Sequence, residues 1–256
     1  MGNYRMHKLE EFQLFGLPDT EILYFFIHRN PNMKSLLLSN CSFKELVPPR
    51  SHSEEKSGVV PKLKILKVMN LQSLKMIDFK DDTILFQRLE CLILKECPCL
   101  NTIAPSSISF TYLTTLEVGN CNKLACLMTP STAKSLVQLT TMKVIQCEQM
   151  KTIVSELEHK EHIIFRKLKE IELVALQNLL SFCSSNHCAF DFPLLEKFVV
   201  SACSNMRKFS QHANSTPILR QILIGNGKEE KRYHWKGDLN VTISYMHQIW
   251  VRIHDH

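Results

Sequence analysis

Residues 113–124 read LTTLEVGNCNKL, and near copies stand on either side, LECLILKECPCL at 89–100 and LTTMKVIQCEQM at 139–150. All three fit the template L-x-x-L-x-V-x-x-C-x-x-L-x-x-I. Taking its first position as an anchor, anchors fall at Leu9, Met33, Leu63, Leu89, Leu113, Leu139, Leu168, Leu195 and Leu219, with spacings of 24, 30, 26, 24, 26, 29, 27 and 24 residues. Three residues after each anchor stand Phe12, Leu36, Leu66, Leu92, Leu116, Met142, Ile171, Phe198 and Ile222. Five after stand Leu14, Leu38, Val68, Leu94, Val118, Val144, Leu173, Val200 and Ile224. Every one of these positions is apolar in a chain that is only 45% hydrophobic, so the period is a property of the fold and not of the composition.

Plus three and plus five alternate, so they face one way on a short strand. One such strand cannot bury its face alone, whereas stacked copies make a parallel sheet over a continuous core. Plus eleven and plus fourteen supply the opposite wall, as in Leu74 and Ile77, Leu124 and Leu127, or Leu179 and Phe182. Three residues before the anchor, Val60, Phe86, Phe110, Leu136, Phe165 and Phe192 fill the turn back into the sheet. The expected fold is an α/β-type solenoid of about nine repeats over residues 1–224, a curved horseshoe. Its parallel sheet lines the concave face, with irregular loops and short helical turns on the convex face. Residues 225–256 form a C-terminal capping segment.

Plus eight is Cys41, Cys97, Cys121, Cys147 and Cys203, so half of the ten cysteines share one slot where the chain turns inward. A small side chain with weak donor capacity fits there and can meet a loop carbonyl. Leu17, Leu71 and Leu176 occupy the same slot in other repeats, which favours packing over chemistry. No C-x-x-C pair occurs, Cys97-x-Cys99 is too close for usual zinc spacing, and Cys183, His187 and Cys188 lack a fourth partner. These are structural, reduced thiols, with no metal site.

Composition narrows the function. The formal charge is +6, from 31 basic and 25 acidic residues, without the Lys/Arg block of a nucleic-acid arm. There is no apolar run long enough to span a membrane and no signal peptide, so the three N-x-Ser/Thr sequons at Asn40, Asn214 and Asn240 carry no sugar. No nucleophile elbow, H-E-x-x-H or paired acid set points to an enzyme. Side chains at plus four form the centre of the concave face: Gln13, Leu37, Lys67, Ile93, Glu117, Lys143, Glu172, Val199 and Leu223. Apolar entries inside alternating charge suit a protein partner, while Glu117 and Glu172 repel a phosphate backbone. Leu37, Ile93 and Val199 are expected to be exposed. Two long repeats add PPRSHSEEKSGVV at 48–60 and SELEHKEHII at 155–164, read as surface loops that offer alternative contact sites. His159 and His162 in the second are taken as solvated.

The whole pattern resembles the leucine-rich repeat. LTTLEVGNCNKLACLMTPSTAKSLVQLTTMKVIQCEQMKTIV at 113–154, FPLLEKFVVSACSNMRKF at 192–209 and HWKGDLNVTISYMHQ at 234–248 resemble the C-terminal repeats of plant coiled-coil, nucleotide-binding, leucine-rich-repeat disease resistance proteins. That resemblance implies a cytoplasmic or nucleocytoplasmic recognition and regulatory module. It senses a pathogen effector or a guarded host protein, or contacts the receptor's own nucleotide-binding domain. The parent class binds ADP or ATP in an upstream domain. Here GNGKEE at 225–230 lacks the preceding glycine of a P-loop, so no cofactor is expected in this chain. No polar N-terminal cap precedes the first repeat, so the chain reads as a detached or truncated piece. The alternatives are a stand-alone adaptor or decoy, or a fragment without function.

Overall fold

The computed structural model describes residues 10–46, 63–77, 88–103, 109–156, 160–225 and 230–254. The Leu9 anchor, the insertion at 48–60, Val60, Phe86 and His159 lie outside the described residues.

One long sheet runs through the molecule. Its parallel strands are β1 (Glu11–Phe15), β2 (Ser35–Ser39), β4 (Ile65–Met69), β6 (Cys91–Lys95), β7 (Thr115–Gly119), β9 (Thr141–Ile145), β12 (Glu170–Val174), β14 (Lys197–Ser201) and β15 (Gln221–Gly225), in that spatial order. Each begins two residues after its anchor. The register never slips: Leu36 lies opposite Leu66, Leu66 opposite Leu92, Leu92 opposite Leu116, and so on through Ile171 and Phe198 to Ile222. Because side-chain direction alternates along a strand, this common offset sends the plus-three and plus-five residues from Leu36 to Ile222 into one core. From Leu36 to Ile222, the described plus-three residues are all buried. At roughly 1.5–3 kcal/mol for each large apolar side chain, the repeated core outweighs any single polar contact.

The backbone between strands repeats as strictly as the strands do. Plus seven is left-handed wherever it is described: Gly16, Asn40, Asn70, Glu96, Asn120, Gln146, Ala175 and Ala202 have φ between 52° and 65°. This residue bends the chain out of the sheet and towards the core. Its N–H donates to the last carbonyl of the next strand, as in Asn40 to Met69, Glu96 to Gly119 and Ala175 to Ser201. A turn follows in which the plus-eight carbonyl accepts from the plus-eleven N–H, from Leu71–Leu74 through Cys203–Met206. A second turn returns the chain to the sheet, with the Leu113 N–H donating to Phe110 and the Leu195 N–H to Phe192. These turns thus give backbone groups that leave the sheet a partner in their own or the adjacent repeat.

The far wall is more regular than irregular loops. Stacked extended segments there pair as short parallel ladders, β3 (Glu45–Leu46) with β5 (Met76–Ile77) and β8 (Cys126–Met128) with β10 (Thr152–Val154). A third ladder pairs β11 (Glu161–Ile164) with β13 (Cys188–Asp191). The constant offset brings these segments to strand spacing, so their backbones satisfy one another. The insertion at 155–164 is therefore in part a strand. Ile163 packs inward opposite Phe190, while His162 bonds the Asp191 carboxylate at 2.8 Å. Two helices replace ladders: α1 (Thr20–Arg29), capped by the Asp19 carboxylate and buried through Leu23, Tyr24 and Ile27, and α2 (Pro130–Ser135). Towards the C-terminal end Phe165, Phe182, Phe190, Phe192 and Phe209 stack and meet edge-on with ring centroids 4.6–6.5 Å apart. Such pairs add to simple burial.

The sheet ends differently at its two sides. At the C-terminal side β16 (Glu230–His234) pairs antiparallel with β15, so GNGKEE joins two strands of a hairpin. Helix α3 (Leu239–His254) then buries Leu239 and Ile243. Its Asn240 carboxamide accepts from the N–H of Phe209 (2.9 Å) and Ser210 (2.8 Å) and donates to the His212 carbonyl. Asn214 is itself 7% exposed and bonds Ser210 Oγ, and Asn40 carries the left-handed turn, so all three sequon asparagines serve the fold.

Two outcomes follow for stability. Replacing both Ala175 and Ala202 by Gly relieves left-handed strain of about 1 kcal/mol each, reduced by glycine's greater entropy when unfolded. The double variant should melt about 2 °C higher; a lower melting temperature in thermal denaturation would show that the strain is not there. Asn240→Ala strands two buried amides and should cost about 2 kcal/mol, read as a lower urea midpoint at unchanged slope.

Candidate functional site

The plus-four side chains lie side by side across the outward face of the sheet. The register places Gln13 opposite Leu37, then Lys67, Ile93, Glu117, Lys143, Glu172, Val199 and Leu223, each on the neighbouring strand. Plus two and plus six flank this row on either side. Strand rigidity is inherited from the core beneath, so the row is a pre-formed surface and not a loop that must be ordered on binding.

Its two halves differ. From β7 onward the charges satisfy one another. Lys95 reaches Glu117 at 3.2 Å, and Lys143 reaches Glu172 at 3.1 Å and Glu170 at 3.7 Å. Lys197 bonds Glu170 at 2.6 Å and Glu172 at 2.7 Å. Burial favours the protonated form of Glu172, but the hydrogen bonds from Lys197 and Lys143 and their charges outweigh it and hold the carboxyl below its ordinary value. The hydrogen bonds to Glu170 and Glu172 in turn push Lys197 up. On β2, β4 and β6 the outward face is mostly apolar instead, with Leu37, Ile65, Met69 and Ile93 half-buried. Val199 departs from expectation: at 3% exposure it is covered, lying between Glu172 and Leu223 on the adjoining strands, and offers no exposed anchor.

The plus-eight cysteines all use one geometry. Each thiol donates to the carbonyl two residues earlier, at the end of its own strand: Cys41 to Ser39 (3.5 Å), Cys97 to Lys95 (3.5 Å), Cys121 to Gly119 (3.5 Å), Cys147 to Ile145 (3.6 Å) and Cys203 to Ser201 (3.4 Å). Cys41, Cys121 and Cys203 also reach a carbonyl of the preceding strand, Leu14, Leu94 and Leu173. All ten cysteines are free thiols. Burial pushes Cys147 and Cys203 up to about 11, so both are protonated near neutrality and are poor nucleophiles. The hydrogen bond from Cys188 holds Cys183 at about 7, yet both thiols are fully buried and the intervening His187 points to solvent. Among the described residues no group of three or more His, Cys, Asp or Glu is placed to hold a metal ion. An apolar cavity of about 20 Å³ between Phe110, Leu127 and Leu136 has room for no more than a water-sized molecule.

The feature that sequence reasoning passed over is plus seven. Its signal was visible as Gly16, Asn40, Asn70 and Asn120, residue types that tolerate the left-handed region. Glu96, Gln146, Ala175 and Ala202 at the same slot hid it.

Because the folded pKa of Glu172 is lowered, the ion network's contribution is full above the unfolded value of about 4.3. It is lost as pH falls through the lower folded value. Glu172→Gln is therefore expected to flatten the loss of stability between about pH 5 and pH 3, measured as urea midpoints across that range. An unchanged acid slope would mean that the network adds nothing to folding.

Among the described residues no helix is long and apolar enough to cross a membrane. The chain matches no curated protein and no solved structure. Residues 109–215, spanning β7 to β14, match the family model described as "Plant disease resistance protein RPS2-like, leucine-rich repeats", so this part of the solenoid is similar to that family.

Proposed function

We infer that this chain is the protein-recognition and regulatory module of a plant intracellular immune receptor, working in the cytoplasm. In this reading it senses a pathogen effector or a guarded host protein and restrains a nucleotide switch carried elsewhere. ADP or ATP would be bound by that switch and not by this chain. The observation that carries the reading is the unbroken plus-four row across nine parallel strands, joined to the disease-resistance match over 109–215. A solenoid builds an extended surface from identical units and can vary that surface without touching the core. Its charges are of both signs and lie among apolar side chains, which suits a protein surface better than a phosphate backbone. Residues 225–256 act as the cap that closes one end of the stack: β16 covers the last parallel strand, and α3 seals the core with Leu239 and Ile243.

The test compares the tagged chain with a Lys67→Glu/Lys143→Glu double variant in affinity purification from plant tissue, after circular dichroism has shown both to be folded. Wild type is expected to retain at least one protein that the double variant loses by about tenfold or more. An identical set of retained proteins would remove the plus-four row from the recognition surface.

A further inference from the structure

The outward face is not uniform, and the difference says where on it a partner binds and what that partner carries. Every acidic side chain on this face from β7 to β14 is tied to a lysine: Glu117 to Lys95, and Glu170 and Glu172 to Lys143 and Lys197. That half is already neutralised, and a charged partner would have to break existing pairs to gain new ones. Lys67 on β4 is the opposite case. It has no ion pair or hydrogen-bond partner among the described residues. Its cross-strand neighbours are Leu37 and Ile93, and Ile65 and Met69 stand two residues before and after it on its own strand. Burial pushes up the thiol of Cys91, opposite Ile65, and the nearby Lys67 ammonium acts against that shift. Among the described residues Lys67 is thus an unpaired cation with four apolar nearest neighbours on a rigid surface, while Ser35, Ser39, Cys91 and Lys95 stand at the diagonals.

Resting on the recognition reading above, we propose that the outward face of β2, β4 and β6 docks a protein segment that presents a carboxylate between apolar side chains, with Lys67 as the charge it meets. Charge complementarity sets the acid, and the ring of Leu37, Ile65, Met69 and Ile93 sets its apolar neighbours. Strand spacing makes the patch roughly 10 Å by 13 Å, room for two or three side chains. That is the scale of an interface hot spot, where a desolvated centre carries most of the affinity and the surroundings exclude water. The neutralised half from β7 to β14 then serves as rim.

The experiment selects a phage-displayed library of random linear peptides on the intact chain. Enriched peptides are measured against wild type, Lys67→Glu, Lys67→Arg, and an exchanged-pair variant, Lys143→Glu/Glu170→Lys/Glu172→Lys/Lys197→Glu, that keeps this four-residue network with its signs reversed. Alkylation of Cys91, half-buried beside Lys67 and resolved by peptide mass spectrometry from the equally accessible Cys99, Cys126 and Cys203, reports occupancy. The expected result is peptides with Asp or Glu between apolar residues that slow Cys91 alkylation. They should bind Lys67→Glu about tenfold or more weakly, Lys67→Arg nearly as wild type, and the exchanged-pair variant without change. Peptides that lack an acid, or that ignore Lys67→Glu but fail on the exchanged-pair variant, overturn this inference and leave sheet-face recognition standing. Peptides indifferent to every variant, or no enrichment at all, overturn both. A dimer in sedimentation that Lys67→Glu disperses also overturns the inference, because the occupant would then be a second copy of the chain.

Discussion

The left-handed residue at plus seven is the constraint on which the remaining structure depends. A strand left to continue would carry the chain past the core. One residue at φ near 55° redirects it inward, so that plus eight is covered and plus eleven can close its turn. The same residue's amide extends the sheet by one more hydrogen bond to the next repeat. Bend and stacking contact are therefore a single device. Its strain at Glu96, Gln146, Ala175 and Ala202, about 1 kcal/mol each, persists because the buried side chains on both sides over-determine it.

The cysteines belong to this device. Beyond the bend the chain is crowded, and the carbonyl at the end of the strand is within reach of whatever side chain follows. A thiol is small enough to fit and supplies a weak donor to that carbonyl, while Leu71 and Leu176 fill the same slot by volume alone. Burial keeps Cys147 and Cys203 protonated. The row of thiols is a packing solution repeated at one address, in line with the leucines that take the same slot in other repeats.

A core built from repeated addresses does not depend on the identity of the outward residues, so their chemistry can vary along the sheet. The face is accordingly not a uniform strip. Near β9, β12 and β14 lysines and glutamates lock one another in place, and Val199 is covered among its neighbours. Near β4 the same row carries Lys67, which has no partner among the described residues and has Leu37, Ile65, Met69 and Ile93 as its nearest neighbours on this face. Two stretches of one sheet, with the same backbone and the same register, thus present different chemistry to a partner.

The sequence by itself determined the strands and the core. Anchor, plus three and plus five predict where each strand starts, because only stacked parallel strands bury those residues together. The plus-four row follows from the same periodicity, since side chains between two buried positions must face the other way. The tertiary structure alone decided what that row is. Lys197 neutralises Glu170 and Glu172 from an adjoining strand, 27 and 25 residues away, and Val199, which the period points outward, is nevertheless buried. It also decided that 161–164 is a strand and not a loop, because Ile163 finds Phe190 only after the chain has gone round once more. Periodicity fixes which way a side chain points; contacts between repeats, many residues apart, fix whether it arrives in water, beside a charge or under cover.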